Sequence, residues 1–160
     1  MTTQTELKAL TILRSVELTH DLETKHLKKL AALAHEVEFS EGEIIYRPGE
    51  VGKALYLVES GAVVIEMEVP GQQPVTTLTV GPNELFGWSS LFPSERKQAR
   101  ARAVKPTRAI AIDAARLQAA WQTDHELEYA IIRRVSRVMA DRIRATRQQL
   151  ANMVASQGKL

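Results

Sequence analysis

Two periodicities alternate along the chain. Between residues 42 and 106, Val63, Ile65 and Met67 interleave with Glu66 and Glu68, and Leu78 and Val80 interleave with Thr77 and Thr79. A period of two is that of a strand with one face buried and the other wet. All six prolines and every glycine except Gly158 fall in the same region and cut it into short stretches at 43–46, 54–59, 62–69 and 75–80. Short alternating runs between turn residues predict an antiparallel jelly-roll barrel over 39–112.

The flanks carry a helical period. Leu22, Leu27, Leu30, Ala31, Leu33 and Ala34 recur at three- and four-residue steps with Lys25, Lys28 and Lys29 opposite, which predicts an amphipathic helix over 19–36. After the barrel, Asp113 is placed to cap a helix over 113–122, and Thr123 with Glu126 forms a capping box that opens a helix over 124–150, leaving 151–160 as a tail. The expected fold class is α+β: one jelly-roll domain over 1–150, flanked by an N-terminal helix and a long C-terminal helix.

That last helix carries an apolar stripe of more than five turns, longer than so small a barrel needs for cover. Pairing with a second copy along 132, 135, 139, 143, 146 and 150 places Ile132, Val135, Met139, Ile143 and Leu150 in a dimer interface. Arg142 and Gln149 lie on the same seam and weaken the heptad, and packing against the barrel is the alternative use of the stripe.

Composition narrows the class. Apolar residues make up 44% and charged residues 25% of 160, ordinary globular usage that excludes disorder and collagen-like repeats. There is no cysteine, hence no disulfide, thiolate metal site or thiol nucleophile. No run approaches the roughly 18 apolar residues of a spanning helix, and residues 1–13 lack a signal-like apolar core, so a cytoplasmic protein without membrane contact is expected. The net charge of +2 hides an asymmetry: residues 1–94 carry 7 Lys/Arg against 13 Asp/Glu, and residues 95–160 carry 14 against 6. Basic residues of the last helix, from Arg133 to Arg147, read as a solvated flank or a nonspecific anion surface.

The order of elements is joined by specific motifs. The runs FSEGEIIYRPGE at 39–50 and YLVESGAV at 56–63, followed by GPNELFGWSSLF at 81–92, resemble the cyclic-nucleotide-binding domain of the bacterial catabolite activator (Crp/Fnr-like) superfamily. The likeness extends over residues 10–150, with 103–113 as the closing strand. It implies a phosphate-binding cassette at Phe86, Gly87, Trp88, Ser89 and Ser90. The cation and small hydroxyl residue that grip the phosphate in that superfamily fall on Lys97 and Gln98, with Arg96 as the neighbouring cation. The superfamily's glutamate for the ribose hydroxyl falls on Trp88, which has no acceptor. By position, the cap over the base falls near Arg142, Ile143 and Thr146. The ligand implied is a cyclic nucleotide, cAMP or cGMP, without a metal.

The function implied is a regulatory sensor that signals through its last helix to a partner. The alternative is a degenerate fold that serves as an interaction module and does not bind cAMP or cGMP. Ten residues after Leu150 are too few for a helix-turn-helix, so sequence-specific DNA binding is not expected. An enzyme is not expected either. A metal-dependent jelly-roll enzyme needs histidines on its strands, and His20, His26, His35 and His125 all lie outside 42–106. Asp124, His125 and Glu126 point in different directions around a helix and read as capping polarity.

Overall fold

The computed structural model describes residues 3–92 and 95–158. Eight strands form two antiparallel four-stranded sheets. One holds β1 (Ala34–Phe39), β8 (Thr107–Asp113), β3 (Ala54–Ser60) and β6 (Leu85–Phe86), in that order; the other holds β2 (Ile44–Tyr46), β7 (Arg100–Ala103), β4 (Val63–Met67) and β5 (Val75–Val80). This is the expected jelly roll, with helices α1 (Gln4–Leu13), α2 (Thr24–Leu33), α3 (Ala114–Gln122) and α4 (His125–Gln157) outside it and a short 3-10 turn at Trp88–Leu91.

Five element boundaries differ from the sequence reading. Helix α1 was not anticipated, although Thr3 and Glu6 cap each other's backbone reciprocally at 3.1 and 3.2 Å and Ala9, Ile12 and Leu13 are buried. The helix expected over 19–36 is confined to α2, because Ala34 turns extended and His35 to Phe39 pair with β8 in a register from Ala34–Ile112 to Phe39–Thr107. Burying the edge of β8 outweighs three more residues of helix. The closing strand expected over 103–113 is β8, which begins at Thr107; Ala103 ends β7, and 104–106 join the two strands.

The cap of α4 is Asp124 and not the Thr123–Glu126 box. The Asp124 carboxylate accepts from Leu127 N at 3.1 Å, Thr123 donates to the Ala120 carbonyl, and Glu126 instead meets Lys25 of α2 at 3.0 Å. Asp113 caps α3 as expected, accepting from Arg116 N at 2.8 Å. The tail assigned to 151–160 is helical through Gln157.

The strand alternation also has an exception. A register shift between Ile65 and Glu66 in the β4–β5 pair leaves Glu66 only 4% exposed and Met67 44% exposed. Glu66 is not on a wet face: Arg102 and Arg100 cover it at 2.7 and 3.2 Å. Their hydrogen bonds outweigh the cost of burial and hold its carboxyl below the usual range.

The main core lies outside the barrel. Leu55, Leu57, Ile110 and Ile112 of the first sheet pack against Leu13, Leu30, Leu117, Trp121, Leu127, Ile131 and Val135 of the four helices. Inside the barrel the buried cluster is small: Val58, Val63, Val80, Phe86 and Ala101. Leu117→Ala removes a side chain with no exposure and is expected to lower unfolding free energy by about 2–5 kcal/mol. Tyr129→Ala, at 65% exposure, should stay within about 0.5 kcal/mol, and urea titrations of the two variants check the contrast.

Candidate functional site

Where the barrel interior is not filled by its own side chains, a cavity of about 890 Å³ opens. Its floor is the inner face of the second sheet, with Tyr46, Ile65, Thr77 and Leu78; Phe86 to Ser89 and residues 95–99 form its sides. Helix α4 closes it with Met139, Arg142, Ile143 and Thr146.

The turn at one end depends on glycine. Gly87 has φ +86, and a Cβ there would meet the Ala54 carbonyl at 2.9 Å and the Tyr56 ring at 3.2 Å. No other residue adopts that conformation in that space without strain. Behind it, Tyr56 stacks on Phe86 with centroids 4.8 Å apart, and Tyr46 lies 6.4 Å from Phe86. Burial pushes both phenols above their ordinary range.

Lys97 stands over this aromatic floor. Its Nζ is 4.3 Å from the Tyr46 ring centroid and 3.7 Å from where a Gly87 Cβ would be. The residue is 6% exposed, and among the described residues Nζ has no hydrogen-bond partner. Burial lowers its pKa to about 8, since a desolvated ammonium favours its neutral form. The backbone is pinned at both sides: Lys97 N donates to the Glu50 carbonyl at 2.8 Å and Gly49 N donates to the Lys97 carbonyl at 2.7 Å. Gly52 packs so tightly on this segment that a Cβ would come within 2.6 Å of Ser90 Cβ and 2.9 Å of Lys97 Cε. A cation held in this way carries its desolvation cost without an offsetting counter-charge.

A second, partly buried cation comes from α4. Arg142 Nη2 donates to the Leu85 carbonyl at 2.7 Å and to Glu17 at 3.2 Å, and the guanidinium carbon lies 4.6 Å from the Trp88 ring centroid. Its Nη1 is buried and, among the described residues, unpartnered. Burial lowers its pKa from the ordinary arginine value.

Of the residues singled out in the sequence, Phe86, Gly87, Trp88, Ser89, Arg96, Lys97, Gln98 and Arg142 all line this one cavity. Ser90 does not. Its hydroxyl shares its proton between the Ala54 and Gly87 carbonyls at 2.9 and 2.6 Å, and its backbone N–H is taken by Gly87 at 3.2 Å, so Ser90 builds the turn and offers no free donor. Arg96 is exposed and donates to the Gly49 carbonyl at 2.9 Å. Gln98 is exposed at the rim. Trp88 does not fill the space; it is half-buried, lies under Arg142 and leaves the cavity open.

Sequence reasoning missed Tyr46, Gly52 and Glu17. Tyr46 lay inside a quoted motif, but only the fold places its ring beneath Lys97. Glu17 follows the unpredicted α1, and no spacing links it to a residue 125 positions later. Along the apolar stripe of α4, Val135 is 1% exposed in the chain's own core, which removes it from the surface offered to a partner. Ile132 and Met139 pack partly against the same core. Ile143 and Leu150 remain 49% and 61% exposed, followed by Met153 and Val154 at 53% and 62%.

Away from the cavity, Glu23, His26 and Glu126 bring ligand-type atoms within 4.8 Å of one another. The Lys25 ammonium already lies 3.0 Å from Glu126 and 3.6 Å from Glu23, so the two carboxylates have a cation. Among the described residues no helix is long and apolar enough to cross a membrane.

Comparison with known proteins agrees with this geometry. The chain is 28% identical over 144 residues to a CRP-like cAMP-activated global transcriptional regulator of Mycobacterium tuberculosis, an alignment covering 89% of this chain and 62% of that protein. Among solved structures it is similar to the N-terminal domain of a transcriptional regulator from Streptomyces coelicolor, with TM-score 0.69, 28% identity and coverage of 81% of this chain and 93% of that one. It is also similar to the catabolite activator protein of Thermus thermophilus, with TM-score 0.70, 27% identity and coverage of 86% and 63%. The chain spans less than two thirds of the length of the curated relatives it matches. The family described as cyclic nucleotide-binding domain matches residues 36–124, more than half of the chain, and the protein with its glycine turn and open, cation-lined barrel belongs to that family, with a Crp-like fold.

Proposed function

We propose that the protein is a regulatory cyclic nucleotide sensor in which Lys97 and the Gly87 turn receive the phosphate and α4 closes over the base. The observation that carries this reading is Lys97, a buried lysine on the wall of the cavity whose Nζ has no partner among the described residues, with Arg142 lining the same cavity from α4. A degenerate scaffold has no reason to bear the cost of a desolvated, unpaired lysine, whereas an anionic ligand offsets it through charge-assisted hydrogen bonds. The relatives named for cAMP support the same ligand class.

Helix α4 is the output in this reading. Met139, Arg142 and Ile143 touch the cavity from the helix that then runs on to Gln157 with Leu150, Met153 and Val154 uncovered. A ligand that contacts the helix in one position better than in another shifts its position, and only such differential contact turns binding into a signal. The exposed stripe from Ile143 to Val154 is the surface for a second copy of the chain, and the assembled pair passes the signal to a further partner.

Thermal unfolding with and without millimolar cAMP or cGMP tests the sensor. Ligand at 100 times its Kd adds about 2.7 kcal/mol, roughly 5 to 10 °C at this size, and Lys97→Ala is expected to abolish the shift. No shift with any cyclic nucleotide would leave the interaction-module reading standing.

The titration of Lys97 gives a second prediction. In the free folded protein its pKa is lowered to about 8 from 10.5, so its charge costs stability below pH 8, and the cost fades as pH rises from about 8 towards 10.5. Anion binding needs the charged form. Affinity is therefore expected to be flat below about pH 7 and to weaken roughly tenfold per unit above about pH 8, and in Lys97→Arg this fall should vanish.

For the helix surface, light scattering of the wild-type chain at micromolar concentration should give a dimer, and Leu150→Glu combined with Met153→Glu a monomer that still unfolds cooperatively. A monomeric wild type would refute self-association through α4.

A further inference from the structure

At the corner where α2 and α4 begin, His26 is a polar side chain in an apolar position. It stands in the first turn of α2 among the buried residues Leu27, Leu30 and Ala31, is 3% exposed, and its Nδ1 has no hydrogen-bond partner among the described residues. A ring nitrogen buried in this way bears a desolvation cost that no bond offsets. The cavity does not account for it, since none of the residues lining that space lies on α2.

A ligand atom of the imidazole and a carboxylate oxygen from each of Glu23 and Glu126 all lie within 4.8 Å of one another. Glu23 is the N-cap of α2 but makes no capping hydrogen bond, so its carboxylate is not committed to the helix end. Glu126 belongs to the first turn of α4, where Asp124 is the cap. Both glutamates are exposed while the ring is buried, which leaves the group open to solvent on the carboxylate side. Nitrogen and oxygen donors of this kind bind a zinc-like dication at about 2.0–2.2 Å, so two donors on one ion stand at most about 4.4 Å apart. The group needs to close by a few tenths of an ångström, which rotation of two exposed side chains supplies. At such a distance an ion also reaches a nitrogen that is closed to a water at about 2.9 Å.

Lys25 is the competitor. Its ammonium lies 3.0 Å from Glu126 and 3.6 Å from Glu23, but the three side chains are 55%, 61% and 68% exposed. Ion pairs between such groups are weak, and this one leaves the buried Nδ1 without a bond. Asp124 and Lys29 pair beside it, and the five charged groups together carry one net negative charge.

We propose that Glu23, His26 and Glu126 form a site for a divalent transition-metal ion of the zinc class, which ties the start of α4 to α2. One imidazole with two carboxylates suits Zn²⁺, Co²⁺ or Ni²⁺ better than Mg²⁺, which takes oxygen ligands, and water completes the coordination. The ion fixes the root of α4 and does not enter the cavity, so the site is independent of the cyclic nucleotide reading.

Titration of the untagged, chelator-treated full chain with Zn²⁺ alone, and with Co²⁺ for its absorption spectrum, tests the site. The expected result is one ion per chain, a raised unfolding temperature at saturation and no response to Mg²⁺ at the same concentration. Glu126→Gln and Glu23→Gln should each weaken Zn²⁺ binding by at least about tenfold, since loss of a mere outer-shell partner already costs about 10- to 100-fold. Lys25→Met removes the competing cation and should tighten binding. His26→Gln should abolish it; if that variant fails to fold, the two glutamate variants on exposed side chains decide the matter. Absent or non-stoichiometric binding overturns the inference, as does an affinity that neither glutamate variant lowers or that Lys25→Met leaves unimproved. Binding lost instead on replacing His20, His35 or His125 assigns the ion to an exposed histidine and does the same.

Discussion

The buried side chains of all four helices gather against one of the two sheets, and most of the molecule's architecture follows from that asymmetry. The apolar area that pays for folding is concentrated between the outer face of β1-β8-β3-β6 and the helices, where Leu57, Ile110, Leu117 and Leu127 have no exposure. The barrel interior is released from that duty. It holds four small or medium buried residues, Val58, Val63, Val80 and Ala101, besides its aromatic floor, and close packing is given up where the second sheet faces α4. A protein with its core inside the barrel would have no room for a ligand of this size. Placing the core outside lets the barrel stay partly hollow without loss of stability.

The hollow is polar in a selective way. The groups that build the glycine turn are satisfied: Ser90 by two carbonyls and the flanking backbone by the Gly49–Lys97 pairing. Among the described residues that line the cavity, the buried side-chain atoms without a partner belong to cations. Proteins rarely leave charge buried and unpaired, and here Lys97, from the segment before β7, has no partner for its Nζ among the described residues, while Arg142, from α4, lines the same cavity with one nitrogen unpartnered. The turn, the lysine and the arginine are set by different parts of the chain, so their convergence is a property of the fold and not of any one motif.

Much of this was legible in the sequence. The period-two alternation and the glycine and proline punctuation marked the barrel, and β5 at 75–80 coincides with its expected span. Gly87 and Lys97 were found through motif likeness, since a glycine turn has its own signature. What escaped has a physical reason in each case. His35 to Phe39 carry as much helical as strand character, and only β8, some 70 residues later, decides for the strand. Glu66 looks like a solvent residue until Arg100 and Arg102 arrive from β7 to cover it. The Thr123–Glu126 pair has the spacing of a cap, yet Lys25 draws Glu126 to another helix and Asp124 takes its place. Tertiary pairing outbid local preference each time.

The length of α4 past the cavity gives it mechanical leverage. From Arg142 to Gln157 the helix rises about 22 Å at 1.5 Å per residue, and among the described residues its far end stays exposed from Ile143 onward. Pivoting at the arginine by about 10° displaces the far end by about 4 Å, close to the radius of a side chain packed between helices. A change too slight to disturb the barrel is thus large at the tip. The protein's stiffness and its range of motion are separated along a single helix, with the fulcrum placed where Glu17, Leu85 and Trp88 hold one guanidinium.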